Sequence, residues 1–304
     1  MIKTDIKLHA GGYTAELRTD LGGACYRLKN EALNLEILRT PPTEDALSGE
    51  FYLFGNPILF PPNRIRGGSF EFSGREYRFP INEPSTGCHL HGELSKKLFT
   101  VSEVSDSRAV LTYTAKAGEY LGFQHAFRVV RDYTLDENGL TERTSFENLS
   151  DETMPFMLAY HTTFDISGLG ECPLLEIPVV REQLRDEKYL PTLEWGEGRL
   201  RDLEISSGEY AVRCDKLSAL YKTSGRFSRI TDPVSRISII SECSEEFGYR
   251  MLWRRADADF LCVEPQTAAI DCFHLDNPAE DFGLISIPKG ETVTVTVRYA
   301  AEKF

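Results

Sequence analysis

The sequence of 304 residues lacks an excess of basic residues, a long apolar run and an apolar leader. Lysine and arginine number 34 against 47 aspartates and glutamates, which gives a net charge of −13. This balance excludes the basic footprint of a nucleic-acid-binding protein and argues mildly against a strongly anionic substrate. No run reaches the roughly 18 apolar residues of a membrane-spanning helix, and Met1 to Lys7 does not resemble a signal peptide. We therefore expect a cytoplasmic protein without a nucleic-acid or membrane partner.

Cysteine motifs are also missing. The seven cysteines are scattered, odd in number and never spaced as Cys-X-X-Cys. A chain of this length does not depend on a disulfide framework, and no metal-ligand spacing stands out. The sequence therefore predicts buried free thiols in a reducing compartment, and no metal.

The dominant hydrophobic pattern of the sequence has a period of two residues. Apolar and polar residues alternate in several segments, as expected for strands with one buried and one wet face. The strand candidates are Tyr13–Arg18, Phe70–Ser73, Ala109–Thr114, His125–Leu135, Leu140–Asn148, Ile237–Ser241 and Thr292–Tyr299. Between two of them, Asn138-Gly139 indicates a hairpin turn. Many short strands separated by turn residues predict an all-β sandwich or barrel.

Helical patterns are scarce. Asn277–Asp281 is compatible with a short helical turn or a loop, and Gly168–Leu203 is irregular enough to predict long loops. No repeat or linker interrupts the chain, so residues 1–304 are predicted to form a single domain.

Five polar residues lie in strand-like or turn-like segments and carry chemistry that those segments do not need. They are Arg64, His91, His161, Asp215 and Glu264. Two histidines, two carboxylates and an arginine suit proton transfer on a neutral sugar, because a histidine titrates near neutral pH and a partly desolvated carboxylate is a stronger base. Each residue could instead be hydrogen-bonded in the core or paired on the surface.

Other reaction classes have less support. His89 and His91 could bind a metal on one face of a strand, but the sequence has no His-Glu-X-X-His motif. It also has no Gly-X-Ser-X-Gly motif of a serine hydrolase and no glycine-rich phosphate-binding loop.

Four motifs in order resemble those of the aldose 1-epimerases, or mutarotases. They are Gly55–Ile65 followed by the hairpin Gly68–Tyr77, then His89-Leu90-His91-Gly92, Tyr160–Ile166 and Val263–Thr267. The resemblance implies a large antiparallel β-sandwich, the galactose mutarotase-like supersandwich, with no cofactor. It further implies that Glu264 is the catalytic base, that His161 is the catalytic acid, and that Arg64 and His91 bind the substrate. Asp215, before Lys216-Leu217, is the best match to the substrate-binding aspartate.

The chain departs from the galactose enzymes at two positions. Phe60-Pro61-Pro62 precedes Asn63, and His89 stands where those enzymes usually have asparagine or glutamine. These differences indicate a less characterised branch of the family rather than the galactose enzymes. The resemblance implies a small-molecule aldose as substrate, and we expect a monomer or a homodimer. Two alternatives stay open: a hexose-6-phosphate 1-epimerase, which would use further arginines such as Arg66 and Arg75, and a non-catalytic carbohydrate-binding protein.

Overall fold

The computed structural model describes residues 4–170, 173–197, 209–211, 217–256 and 258–304. Strands dominate the described residues. The strands are β1 (Ile6–Ala10), β2 (Tyr13–Leu17), β3 (Cys25–Asn30), β4 (Leu35–Glu36), β5 (Ile58–Leu59), β6 (Arg64–Arg66), β7 (Ser69–Phe72), β8 (Arg75–Arg78), β9 (Cys88–Leu90), β10 (Thr100–Val104), β11 (Arg108–Ala115), β12 (Phe127–Asp136), β13 (Gly139–Asn148), β14 (Met154–Phe156), β15 (Ala159–Tyr160), β16 (Thr163–Asp165), β17 (Leu174–Glu176), β18 (Val179–Arg185), β19 (Pro191–Gly196), β20 (Glu209–Ala211), β21 (Leu217–Thr223), β22 (Phe227–Asp232), β23 (Ile237–Cys243), β24 (Tyr249–Arg254), β25 (Phe260–Gln266), β26 (Ile285–Ile287) and β27 (Thr292–Lys303).

The strands form large antiparallel sheets. In the described part of the chain, nine strands pair in the order β10-β11-β12-β13-β27-β23-β22-β17-β20. A second sheet has the order β19-β18-β21-β24-β25-β15-β5, with β16 also paired to β25. Strands β1 to β4 form a third sheet, and three two-stranded ladders join β14 to β26, β6 to β9 and β7 to β8. The predicted antiparallel all-β fold is therefore confirmed.

The two largest sheets pack face to face through alternate residues of the segment that runs from β15 to β16. The Tyr160 hydroxyl donates to Thr144 Oγ1 on β13 over 2.7 Å, and the Thr162 and Tyr299 hydroxyls are 2.8 Å apart. The ring of Phe164 lies 5.9 Å from that of Tyr299. Side chains alternate across a strand, so His161 and Thr163 face away from the nine-stranded sheet.

A buried ion pair lies close to this packing surface. Arg131 Nε donates to Glu142 Oε1 over 2.7 Å, and both side chains are fully buried. Thr144 Oγ1 donates to the same oxygen over 2.7 Å, and Asn56 Nδ2 donates to Oε2 over 2.8 Å. A second Arg131 donor, Nη1, reaches the carbonyl of Gly22 over 2.6 Å. The network ties β12 and β13 to two loops.

The prediction of long loops for Gly168–Leu203 is wrong for much of that segment, because β17, β18 and β19 lie in it. Strands β18 and β19 pair at one end of their sheet, and most of their residues are at least partly exposed. Strands with little burial need little apolar alternation, which is why the sequence pattern did not reveal them.

Helices are few among the described residues. The α-helix α1 (Glu44–Glu50) is followed by a 3₁₀ turn (Phe51–Leu53), and further 3₁₀ turns are Leu94–Lys96, Cys272–His274 and Ala279–Phe282. The sequence analysis missed α1, although its signal is present. Thr43 caps the helix by accepting from the backbone N–H of Ala46 over 3.1 Å, and Glu44 and Asp45 occupy the first turn. No helix in the described ranges is long and apolar enough to cross a membrane.

Candidate active site

A cavity of about 590 Å³ opens on the face of the eight-stranded sheet that points away from the nine-stranded sheet. Arg64, His91, His161 and Glu264 line it. These residues come from four separate segments of the chain, and the fold brings their side chains to one wall. Asp215 lies outside the described residues, so its role stays a prediction.

Glu264 occupies a central position in this sheet. All seven residues of β25 are buried, and Glu264 itself is only 2% exposed. Burial raises the pKa of Glu264 well above its ordinary value, while the positive charge of Arg185 opposes that rise. A carboxylate in this setting holds a proton more strongly than one in water, which suits a general base.

His161 is the cross-strand neighbour of Glu264. Ala159 pairs with Gln266 on one side of His161, and Thr163 pairs with Cys262 on the other. Both pairs have the same register, which places His161 directly opposite Glu264. His161 Nε2 and Glu264 Oε1 are 3.5 Å apart. Burial lowers the pKa of His161 to about 4, and its Nδ1 has no hydrogen-bond partner among the described residues.

The pKa values of the two groups shift in opposite directions for the same reason. Burial disfavours the imidazolium form of His161 and the carboxylate form of Glu264 alike. Two groups this close are expected to titrate as a coupled unit, because the charge on one changes the proton affinity of the other.

The loop containing His91 has a left-handed backbone. Asn63 and His91 both have positive φ values, of 54° and 66°, and the backbone N–H of His91 donates to the Asn63 carbonyl over 3.0 Å. The backbone N–H of Asn63 donates in turn to His91 Nδ1 over 3.3 Å, which leaves Nε2 as the donor. The next residue must be glycine, because a Cβ at Gly92 (φ +60°) would lie 1.9 Å from the carbonyl oxygen of Phe60.

Burial, together with the neighbouring His161, lowers the pKa of His91 well below its ordinary value. The ring centroids of the two histidines are 5.6 Å apart, and the Tyr52 ring lies 4.9 Å from that of His91. His91 is therefore a neutral hydrogen-bonding group beside His161 and Glu264.

Arg64 is held rigidly by a bidentate ion pair. Its Nε and Nη2 donate to the two carboxylate oxygens of Glu83, each over 2.7 Å. Glu83 also accepts from the hydroxyl of Thr86, and the guanidinium lies 5.0 Å from the centre of the Tyr189 ring. The pairing fixes the orientation of Arg64 and neutralises most of its charge.

His89, which the sequence offered with His91 as a possible metal ligand, does not line the cavity. It is 1% exposed, its Nδ1 lies 2.8 Å from the Pro80 carbonyl, and its ring lies 4.9 Å from that of Phe79. Strand β9 ends at Leu90, and the left-handed turn at His91 breaks the alternation that would put both histidines on one face. The structure does not bring His89 and His91 together in the cavity.

Sequence analysis missed Arg185, which lies on β18 in the segment predicted to be loops. Its Nη2 donates to the carbonyl of Ser218 and lies 3.2 Å from the Ser218 hydroxyl. Its Nη1 is buried and has no hydrogen-bond partner among the described residues. Burial lowers the pKa of Arg185. The positive charge of Arg185 acts on Glu264 because of the order of the strands in the sheet. Local sequence does not reveal that order.

Comparisons with known proteins identify the family of this chain. The aldose 1-epimerase family model matches residues 5–300, so the chain belongs to the aldose 1-epimerase family. Its sequence is 26% identical over 275 residues to the uncharacterised protein YihR of Escherichia coli K12, covering 88% of this chain and 85% of YihR. It is 27% identical over 197 residues to galactose mutarotase of Rattus norvegicus, covering 57% of this chain and 56% of the rat protein. The crystal structure of a galactose mutarotase-like protein from Clostridium acetobutylicum superposes with a TM-score of 0.90, at 26% identity and with 99% and 98% of the two chains covered.

Proposed function

We propose that this protein is a mutarotase that interconverts the α and β anomers of a free aldose without a cofactor. The observation that carries the proposal is the pairing of His161 and Glu264 across two strands, with 3.5 Å between Nε2 and Oε1 at the cavity wall. The hydroxyl on C1 of an aldose and its ring oxygen are bonded to the same carbon, so two groups this close can serve both oxygens of one sugar.

In the proposed reaction, Glu264 removes the proton of the C1 hydroxyl while His161 protonates the ring oxygen. The bond between C1 and the ring oxygen breaks and an aldehyde forms. After rotation about the C1–C2 bond, Glu264 returns its proton to the aldehyde oxygen as the C5 hydroxyl attacks C1 and gives its proton to His161. Ring opening thus takes a proton from the histidine and gives one to the glutamate, and ring closure reverses both transfers, so the pair is reset after each turnover.

Arg64, His91 and Asp215 are proposed to bind the sugar. Arg64 and His91 offer N–H donors at the cavity wall, and a neutral polyol needs such donors. We assign the aromatic rings of Tyr52, Tyr189 and Trp253, which also line the cavity, to contacts with the apolar face of the sugar.

The charges around the cavity favour a neutral aldose over a sugar phosphate. Arg66 pairs with Asp271 and Arg75 pairs with Glu152, and neither is among the residues that line the cavity. Arg64 is already neutralised by Glu83. A phosphate group would need free cationic donors at the site.

The test is the decay of optical rotation of freshly dissolved single anomers, including α-D-galactose and α-D-glucose, with and without the protein. We expect Glu264→Gln to lower kcat by roughly 10²-fold or more with little change in KM, because the amide cannot accept the proton. His161→Asn should behave similarly. A matched control is Glu245→Gln, an exposed glutamate paired with Arg226 on the surface, which should leave kcat unchanged. A wild-type protein that binds aldoses but leaves anomerisation at the background rate would instead be a carbohydrate-binding protein.

A further inference from the structure

The thiol of Cys262 lies close to His161 and Glu264, and thiols, imidazoles and carboxylates are all common metal ligands. Cys262 lies two residues before Glu264 on β25, so both side chains project from the same face of the sheet. In the described part of the chain, His161, Cys262 and Glu264 form a buried group whose potential ligand atoms all lie within 4.8 Å of one another. The proposed mechanism gives Cys262 no role.

The spacing of these atoms is close to that of a tetrahedral zinc site. Zinc lies about 2.3 Å from a thiolate and about 2.0 Å from nitrogen or oxygen, so its ligand atoms are roughly 3.3–3.6 Å apart. Nε2 of His161 and Oε1 of Glu264 are already 3.5 Å apart. The distances from Cys262 Sγ to the ligand atoms of the other two residues are at most 4.8 Å, so a small movement of the cysteine side chain would complete the geometry.

The present partners of Cys262 do not hold its thiol firmly. Its Sγ lies 3.3 Å from Thr163 Oγ1. The Thr163 hydroxyl also lies 3.4 Å from the carbonyl oxygens of Tyr52 and His161, and it has only one proton to donate. Thiols are weak hydrogen-bonding groups, so a metal ion would compete easily for the sulfur.

The charges of the three groups suit a buried divalent cation. A thiolate and a carboxylate neutralise M²⁺ completely, and His161 contributes a neutral imidazole, so no net charge is buried. On binding, the thiol proton and any proton on His161 or Glu264 pass to the solvent, and no electrons are transferred. His161 and Glu264 line the cavity, so the ion can enter from solvent and keep a water as its fourth ligand.

From this geometry we propose that His161, Cys262 and Glu264 bind a thiophilic divalent cation such as Zn²⁺, which inhibits the enzyme reversibly. The ion is an inhibitor and not a cofactor, because it occupies the lone pairs with which the acid and the base move protons. The binding site stands independently of the proposed function, whereas the inhibition rests on it.

The test for binding uses Co²⁺ as a spectroscopic substitute for Zn²⁺ on the metal-free, full-length protein. We expect one equivalent of Co²⁺ to produce a thiolate-to-cobalt charge-transfer band in the near ultraviolet, and Zn²⁺ to abolish it by displacement. Cys262→Ser should lose the band, and Glu264→Gln should weaken Co²⁺ binding by about tenfold or more. Cys88→Ser is the matched control, since Cys88 is also buried and free. It should keep the band.

The test for inhibition uses the anomerisation assay on the same proteins. Zn²⁺ should inhibit the wild type and Cys88→Ser, and a chelator should restore full activity. Cys262→Ser should remain active in metal-free buffer and should need about tenfold or more Zn²⁺ for the same inhibition. Circular dichroism and the melting temperature establish that each variant is folded.

The possible results separate the two proposals. A cobalt band that depends on Cys262, in a protein without anomerase activity, would leave the metal site standing and refute the mutarotase. Absence of a band in the wild type, or an unchanged band and unchanged inhibition in folded Cys262→Ser, would overturn the metal site alone.

Discussion

The buried ion pair between Arg131 and Glu142 predicts a large loss of stability for Glu142→Gln. Glu142 accepts at both oxygens, from Arg131 and Thr144 at one and from Asn56 at the other. A glutamine must place its NH₂ group against one of these donors. Asn56 could accept from this NH₂ group only by turning its Oδ1 toward it. That rotation would break the hydrogen bond that Oδ1 already accepts from the backbone N–H of Cys25 over 2.9 Å.

The magnitude follows from burial. Both partners are fully buried, and removal of one member of a buried pair typically costs about 3–5 kcal/mol, because the other charge is left uncompensated. With an m value of about 3 kcal/mol per molar urea, the midpoint of urea unfolding should fall by about 1–2 M. Unfolding is followed by tyrosine and tryptophan fluorescence and by far-ultraviolet circular dichroism, whose transitions must coincide.

Glu242→Gln is the matched control on the same sheet. Glu242 pairs with Arg298 on the adjacent strand, but the two side chains are 49% and 28% exposed, so the loss should stay below about 1 kcal/mol. If Glu142→Gln and Glu242→Gln unfold at the same urea concentration, the argument from burial is refuted.

Two further predictions concern the cavity. Arg185→Met removes the positive charge that opposes the raised pKa of Glu264. Without that charge the pKa of Glu264 should rise further. Activity needs the ionised base and is lost as pH falls, so the acidic limb of the kcat/KM profile should move to higher pH. An unmoved limb, as expected for the exposed control Arg226→Met, would contradict this. Glu83→Gln releases one arm of the bidentate hold on Arg64, so KM should rise by about tenfold with kcat little changed; a fall in kcat at constant KM would assign Arg64 to the chemical step.

The alternating pattern follows burial most closely in the two longest predicted strands of the central hairpin. In β12 and β13 burial alternates along most of the length, and the apolar pattern follows it. Their hairpin is also as predicted, although the two turn residues are Glu137 and Asn138 and Gly139 already begins β13. Where burial is slight, as in β18, or complete, as in β25, the period of two disappears.

The sequence predicted those residues of the candidate site that lie in short recognisable motifs. Arg64, His91, His161 and Glu264 each belong to a motif that resembles the family pattern, and all four line one cavity. Arg185 and Cys262 belong to no such motif. Their relation to the acid/base pair is created by strand order and register, which involve segments far apart in sequence.

Register also explains how the proposed acid, His161, and the proposed base, Glu264, keep their separation. In an antiparallel ladder, directly opposite residues alternate between hydrogen-bonded pairs and pairs without backbone hydrogen bonds, whose side chains are closer. The backbone N–H of Val263 donates to the carbonyl of Thr162 over 3.0 Å, so the adjacent pair of His161 and Glu264 is of the second kind. The neighbouring pair Thr163–Cys262 fixes the register on one side. A shift by one residue would turn Glu264 toward the nine-stranded sheet and away from the cavity. The ladder therefore sets both the distance between the two groups and the face on which they act, and no mobile loop is needed to bring them together.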